Sequence, residues 1–302
     1  MEARMQSKKT AALIALTTLA LSTAAEPPSH GEPAATGSKP TAVLKTTPPG
    51  PRTQNATAKT AAKAAAEDRT YTADEALSML MEGNERWVSN RVDAPSTSPE
   101  RREATTSGGQ HPFATIITCA DSRLPVERLF DRGVGELFVT RVAGNIAGPS
   151  ETGTIEYGVG HLHTPLLVVM GHAKCGAVAA AAADAKVHGQ VAGILAKVGP
   201  AVERAKRQNP SLKGDELVAA AVKENVWQTV FDLLKQSDGL RTQVQQGQLR
   251  IVGAVCDIST GRVEFMGEHP WQAELMTALN VPAGQATAVA PESHDDDAPG
   301  GH

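Results

Sequence analysis

The chain has only 3 cysteines among 302 residues, and an odd count this small argues against a disulfide framework. It has no basic stripe, and a formal charge of −4 offers no electrostatic footprint for a phosphate backbone, so no nucleic-acid partner is expected. It also lacks an apolar run near the ~20 residues of a membrane-spanning helix. The apolar segment from Ala11 to Ala20 falls short of that, so no stable span is expected. No internal repeat is evident, which sets aside solenoids and propellers.

The two ends are poor in packing residues. Residues 1–25 read as a secretory signal peptide. Arg4, Lys8 and Lys9 supply the positive region, Ala11 to Ala20 the apolar region, and Ser22-Thr23-Ala24-Ala25 the small residues for cleavage. A periplasmic or secreted location follows as the expectation, with an uncleaved anchor as the alternative. No cysteine stands near the cleavage point, so lipid modification is not expected. Residues 26–68 are rich in Pro, Ala and Thr and almost free of large apolar side chains, the composition of a disordered linker. Residues 283–302 carry Asp295-Asp296-Asp297 and read as a disordered acidic tail. Residues 69–282 remain, a length that suits one globular domain.

Within that domain, strand and helix patterns alternate. Thr72 and Glu75 form a capping box ahead of a helical periodicity from Ala73 to about Val88. Asn90 to Gly109 reads as an extended polar connection. Strands are expected at Ala114 to Cys119, Glu136 to Val142 and Leu166 to Met170. Helices are expected at Pro125 to Phe130, Glu151 to Leu162 behind an N-cap at Ser150, Gly176 to Ala185, Ala192 to Arg207 and Glu216 to Lys235. Leu249 to Ile258 and Arg262 to Met266 read as a closing hairpin turned at Ser259-Thr260-Gly261. The central strands are unbroken apolar runs, as in a mainly parallel sheet flanked by helices on both faces.

Two short clusters carry the chemistry. Cys119-Ala120-Asp121-Ser122-Arg123 follows one β-branched run, and His172-Ala173-Lys174-Cys175 follows another. Ligands at two strand ends of one sheet can converge on a point. Two thiolates and an imidazole form a zinc set, and three protein ligands leave the fourth tetrahedral position open for water, the mark of a catalytic site. Taken singly, each cluster has a plainer reading: a buried thiol, a core histidine, a salt bridge. Their matched placement favours one zinc ion per chain. Cys256, inside the apolar run Ile251 to Ile258, is expected to be buried and inert.

With those residues in view, the chain resembles the β-class carbonic anhydrases over roughly Thr72 to Glu268. The matching blocks are C-x-D-S-R from Cys119, Gly135 to Asn145, and Gly171 to Gly176, in family order. The resemblance implies a mainly parallel sheet flanked by helices with an N-terminal helical arm, built into a homodimer or higher oligomer. It implies zinc ligands at Cys119, His172 and Cys175 and a catalytic dyad at Asp121 and Arg123. Asp121 would orient the attacking hydroxide, and Arg123 would hold Asp121 ionised and off the metal. It also implies pocket roles for Gln110, Phe138 and Tyr157, the two aromatics being supplied across the dimer interface. Gly144 and Gly176 are expected to permit close backbone approach near the pocket. Members regulated by bicarbonate carry Trp where this chain has Ile116, so the open, unregulated subgroup is expected. His161 and His163 read most plainly as a surface pair, with proton transfer as the alternative.

The expected activity is reversible hydration of CO2 to bicarbonate and a proton. The alternatives are hydrolysis of CS2 or COS on the same fold, or a non-catalytic zinc- or anion-binding protein.

Overall fold

Strands that are apolar on both faces need helices on both sides, and the domain is built on that demand. The computed structural model describes residues 70–279; the expected leader, linker and acidic tail lie outside the described residues. Four strands run parallel: β1 (Ala114–Thr118), β2 (Leu137–Arg141), β3 (Leu166–His172) and β4 (Arg250–Cys256). β5 (Val263–Gly267) returns antiparallel to β4, giving the order β2-β1-β3-β4-β5. Every residue of β1 and β3 is buried. Because successive strand residues face opposite sides, Ile116, Val168 and Val252 enter one apolar cluster, while Ile117, Leu167, Val169 and Ile251 enter another.

The register sets up everything at the carboxyl end of the sheet. Thr118 pairs with Met170, and His172 pairs with Cys256. Cys119 and His172 therefore emerge side by side from adjacent strand ends.

Nine helices are described, in chain order: α1 (Ala73–Val88), α2 (Pro99–Gly108), α3 (Val126–Leu129), α4 (Pro149–Glu156), α5 (Gly176–Ala182), α6 (Val191–Gln208), α7 (Gly214–Gln236), α8 (Asp238–Gln245) and α9 (Gln272–Ala278). The capping box of α1 is formed: Glu75 N donates to Thr72 Oγ1 at 3.2 Å, and Thr72 N donates to Glu75 Oε2 at 3.0 Å. α1 buries Ala76 and Leu80 and comes so close to Phe130 that a Cβ on Gly83 would lie 1.9 Å from its carbonyl oxygen. Asn84 pins the helix in place. Its Nδ2 donates to Leu129 O at 3.0 Å and Gly261 O at 2.8 Å, and its Oδ1 accepts from Val263 N at 2.9 Å.

Several elements depart from the sequence expectation. The supposed connection before β1 contains α2. Its N-cap Ser98 accepts from Arg101 N, Pro99 fills the first turn, and Thr105, Thr106 and Ser107 bond back to carbonyls one turn earlier. The polarity that suggests a loop is thus spent within the helix, leaving Arg101 as its buried residue. The next departure concerns Ser150, which lies inside the first turn of α4 rather than capping it. Gly148 is the N-cap, and its N–H donates to Glu151 Oε2 at 2.9 Å. The helix also stops at Glu156 and widens into a π-turn, Tyr157–His161, where Gly158 lets the chain pass Thr115 and Phe138. Finally, α8 and α9 went unread in the sequence because each is barely two turns long.

Asn84→Leu would leave two carbonyls and one N–H without partners in a buried site. The expected loss is about 3 kcal/mol of unfolding free energy, measured by urea denaturation of the zinc-loaded protein.

Candidate metal centre

β1 delivers Cys119 to the carboxyl edge of the sheet, and β3 delivers His172 beside it. The chain then turns through Lys174, which adopts a left-handed φ of 56°, and this returns Cys175 to the same spot as the N-cap of α5. All three residues are buried, and their donor atoms lie within 4.8 Å of one another. Tetrahedral zinc with Zn–S near 2.3 Å places its ligand atoms about 3.7 Å apart, so the cluster has the right size.

The electrostatics of the trio call for a cation. Cys119 is drawn well below the ordinary thiol range, chiefly by a hydrogen bond from the Cys175 thiol. Burial opposes this, while His172 and the Gly144 N–H add to it. The same contact drives the Cys175 thiol far up, because a second thiolate beside the first is unfavourable; burial adds to the effect, and the N–H groups of Val178 and Ala177 oppose it. A dication removes that conflict. His172 is already set as a ligand. Its Nδ1 faces Ala173 O at 2.9 Å, which places the proton on that nitrogen, and its buried Nε2 has no hydrogen-bond partner. An orphaned, fully buried imidazole nitrogen between two thiols is what zinc would satisfy. Zinc therefore fits Cys119, His172 and Cys175.

Asp121 and Arg123 stand at the mouth of this cluster. Arg123 grips the carboxylate with a two-pronged pair, Nε to Oδ1 at 2.9 Å and Nη2 to Oδ2 at 2.7 Å, and its backbone N–H adds a third bond at 3.0 Å. The Arg123 hydrogen bonds hold the Asp121 carboxyl well below the usual carboxylate range, against the effect of burial. Asp121 Oδ2 lies 3.8 Å from His172 Nε2, near the metal position but committed to arginine. Arg141, at the end of β2, steadies the loop by donating to Cys119 O at 3.3 Å and to Asp121 O at 2.5 Å.

Not every predicted residue reaches this place. Phe138 pairs with Thr115, four residues before Cys119, which sets it about 13 Å back along the sheet. The Tyr157 ring lies 5.8 Å from Phe138 and stacks with His161 at 5.1 Å. Gln110 is exposed ahead of β1, at the same far end. Within one chain these three are separate from the metal cluster. Gly144 has the close approach expected of it, with φ of 72° and a would-be Cβ 3.2 Å from Ala177 and Val198. Gly176 does not: a Cβ there meets nothing within 4 Å, so its glycine is not a packing requirement of the chain. Cys256 is fully buried, its thiol pushed up to about 11 by desolvation. A separate cavity of 590 Å³, bounded by Trp87, Pro125, Arg128, Val134 and Leu137 among others, contains neither the metal cluster nor the Asp121–Arg123 pair.

The sequence reading missed the support for Cys119. Gly144 N donates to its sulfur at 3.3 Å, and Asn225 of α7 bonds Gly144 O at 2.7 Å. The available signal was a lone amide side chain on the Ala221, Val222, Val226 stripe of an otherwise apolar helix face.

The carbonic anhydrase family model matches residues 114–263. Carbonic anhydrase 2 of Mycobacterium tuberculosis is 40% identical over 187 residues, covering 61% of this chain and 87% of the relative. The carbonic anhydrase of Mycolicibacterium smegmatis is 37% identical over 190 residues, covering 62% and 89%. Among solved structures, the β-carbonic anhydrase CafA of Aspergillus fumigatus aligns with a TM-score of 0.54 at 28% identity, covering 67% of this chain and 96% of that one. A structure of tetrameric β-carbonic anhydrases from Sordaria macrospora aligns with a TM-score of 0.52 at 26% identity, covering 62% and 94%.

One zinc per chain is expected by metal analysis, and Cys119→Ala, His172→Ala and Cys175→Ala should each lose it. Full zinc occupancy in Cys175→Ala would refute the ligand set.

Proposed function

This chain belongs to the β-carbonic anhydrase family, whose zinc-dependent reaction is the reversible hydration of CO2 to bicarbonate and a proton, and we propose how its residues divide that work. The observation that carries the reading is the Cys119–His172–Cys175 cluster with an arginine-locked carboxylate 3.8 Å from its histidine. Zinc bound there supplies Lewis acidity, which makes water a nucleophile at neutral pH.

Asp121 accepts the proton of the attacking water as a hydrogen bond and so turns a lone pair toward CO2. It can only accept, because Arg123 keeps it ionised far below neutral pH. Arg123 also restrains the carboxylate in space. With both of its oxygens engaged, Asp121 is withheld from the ligand position. Arg141 keeps the Cys119–Asp121 backbone from swinging. A bland ion pair would not need to sit beside a ligand histidine.

Phe138 and Tyr157 are proposed as pocket walls that a second copy of the chain contributes, and Gln110 as a residue that contacts bound substrate or anion. Their grouping at the opposite end of the strands supports this, since one chain cannot bring them to its own metal cluster. A homodimer or larger assembly follows, and the related Sordaria enzymes are tetrameric. The open, unregulated subgroup is supported by Ile116, which is fully buried between Val139 of β2 and Val168 of β3, with no aromatic face to offer a bicarbonate site. A periplasmic or secreted location rests on the leader pattern of residues 1–25.

Asp121→Ala and Arg123→Ala should retain zinc yet lower kcat/KM for CO2 hydration by about 10²-fold or more in stopped flow. An unchanged rate in either would reduce the pair to a structural contact. Bicarbonate should inhibit hyperbolically, and a CS2 assay run in parallel should show the weaker activity. Sedimentation should find no active monomer at micromolar concentration.

A further inference from the structure

Asn225 lies in the middle of α7 and is 1% exposed, a setting where a carboxamide weakens the helix and costs free energy unless it is bonded. Its Nδ2 donates to Gly144 O at 2.7 Å and approaches Asn145 Oδ1 at 3.3 Å. One turn later, the Thr229 hydroxyl shares its proton between Asn145 O at 2.9 Å and Asn225 O at 3.0 Å. Two successive carbonyls of the 3₁₀ turn Ala143–Asn145 are thus held from the same helix. Both turn residues have left-handed backbones, with φ of 72° at Gly144 and 44° at Asn145, conformations that persist only where the surroundings fix them. Across the same residue, Gly144 N donates to Cys119 Sγ at 3.3 Å. The Gly144 N–H and C=O belong to adjacent peptide units that meet at its Cα, so pinning the carbonyl while the turn holds φ at 72° restrains the unit that carries the N–H.

We propose that Asn225 is a positioning residue for the metal centre: by clamping the Gly144 carbonyl it aims the Gly144 N–H at the Cys119 sulfur and draws charge from that ligand. A site with two thiolates donates much charge to its metal and is a weaker Lewis acid than an all-imidazole one. The Asn225–Gly144–Cys119 relay offsets part of that donation. In metal sites generally, loss of such an outer partner weakens binding 10–100-fold. Thr229 has a different share. It fastens the next carbonyl and stabilises the turn without directing the N–H.

The inference rests on the metal reading above, and its test needs no catalytic assay. Cobalt(II) replaces zinc in the full-length protein, and the near-ultraviolet thiolate-to-cobalt charge-transfer band reports the electron richness of the sulfur. Zinc affinity is measured alongside by competition with a chromophoric chelator. Asn225→Leu keeps the volume and removes the donor. The expected result is a band moved to longer wavelength and zinc affinity reduced at least 10-fold. Asn225→Ser keeps a shorter donor and should fall between wild type and Asn225→Leu; should the leucine variant not fold, the serine variant decides by the same readings. Thr229→Val should lower the melting temperature and leave the band in place. Folded Asn225 variants with wild-type band and affinity would overturn the proposal, as would a Thr229→Val shift as large as that of Asn225→Leu. A wild-type protein that binds neither metal would instead overturn the metal centre itself.

Discussion

The crowding of two thiols and an imidazole in one buried spot governs the rest of the molecule. Left alone, the cluster is frustrated: Cys119 is pulled toward thiolate, Cys175 is forced to stay neutral, and His172 Nε2 has no partner. A divalent cation resolves all three difficulties together. Such a cluster cannot arise from local chain geometry alone, because Cys119 and Cys175 are far apart in sequence. It needs two parallel strands in a fixed register, and the parallel register in turn needs helical cover on both faces. The sheet, the helices and the left-handed turn at Lys174 all serve that one convergence.

A second constraint separates the metal from the carboxylate nearest to it. Asp121 stands two residues from a ligand and 3.8 Å from another, close enough to compete for zinc. The forked Arg123 pair and the backbone grip of Arg141 remove that competition while keeping the carboxylate ionised. The Arg123 guanidinium is about half exposed, so its hold on Asp121 comes from the short, forked hydrogen bonds more than from long-range charge, which water screens.

The parallel sheet was legible because β1 and β3 are unbroken apolar runs, and the ligands were legible because they cluster at the ends of those runs. α1 was legible to the residue, since Thr72 and Glu75 announce its start and the apolar spacing carries it to Val88. Polarity misled at α2, whose serine and threonine hydroxyls satisfy backbone groups inside the helix instead of breaking it. Gly176 was harder to read, because a glycine in sequence does not reveal what approaches its missing Cβ, and within one chain nothing does. The support given by Asn225 was the least legible of all. It acts through the backbone on either side of another residue's Cα and across 81 positions of sequence, and no spacing rule reaches that far.

The Asn84 clamp bears on how the domain is made. Asn84 belongs to the first described helix, yet its partner Gly261 is 177 residues further along, in the last hairpin. At about 5–20 residues per second, a ribosome takes roughly 10–35 s to cover that interval. Phe130 and the Leu129 carbonyl, about 45 residues on, give α1 an early seat, but two of the three Asn84 bonds wait for the Gly261 carbonyl and the Val263 N–H. The clamp on α1 is therefore complete only when the last hairpin is in place.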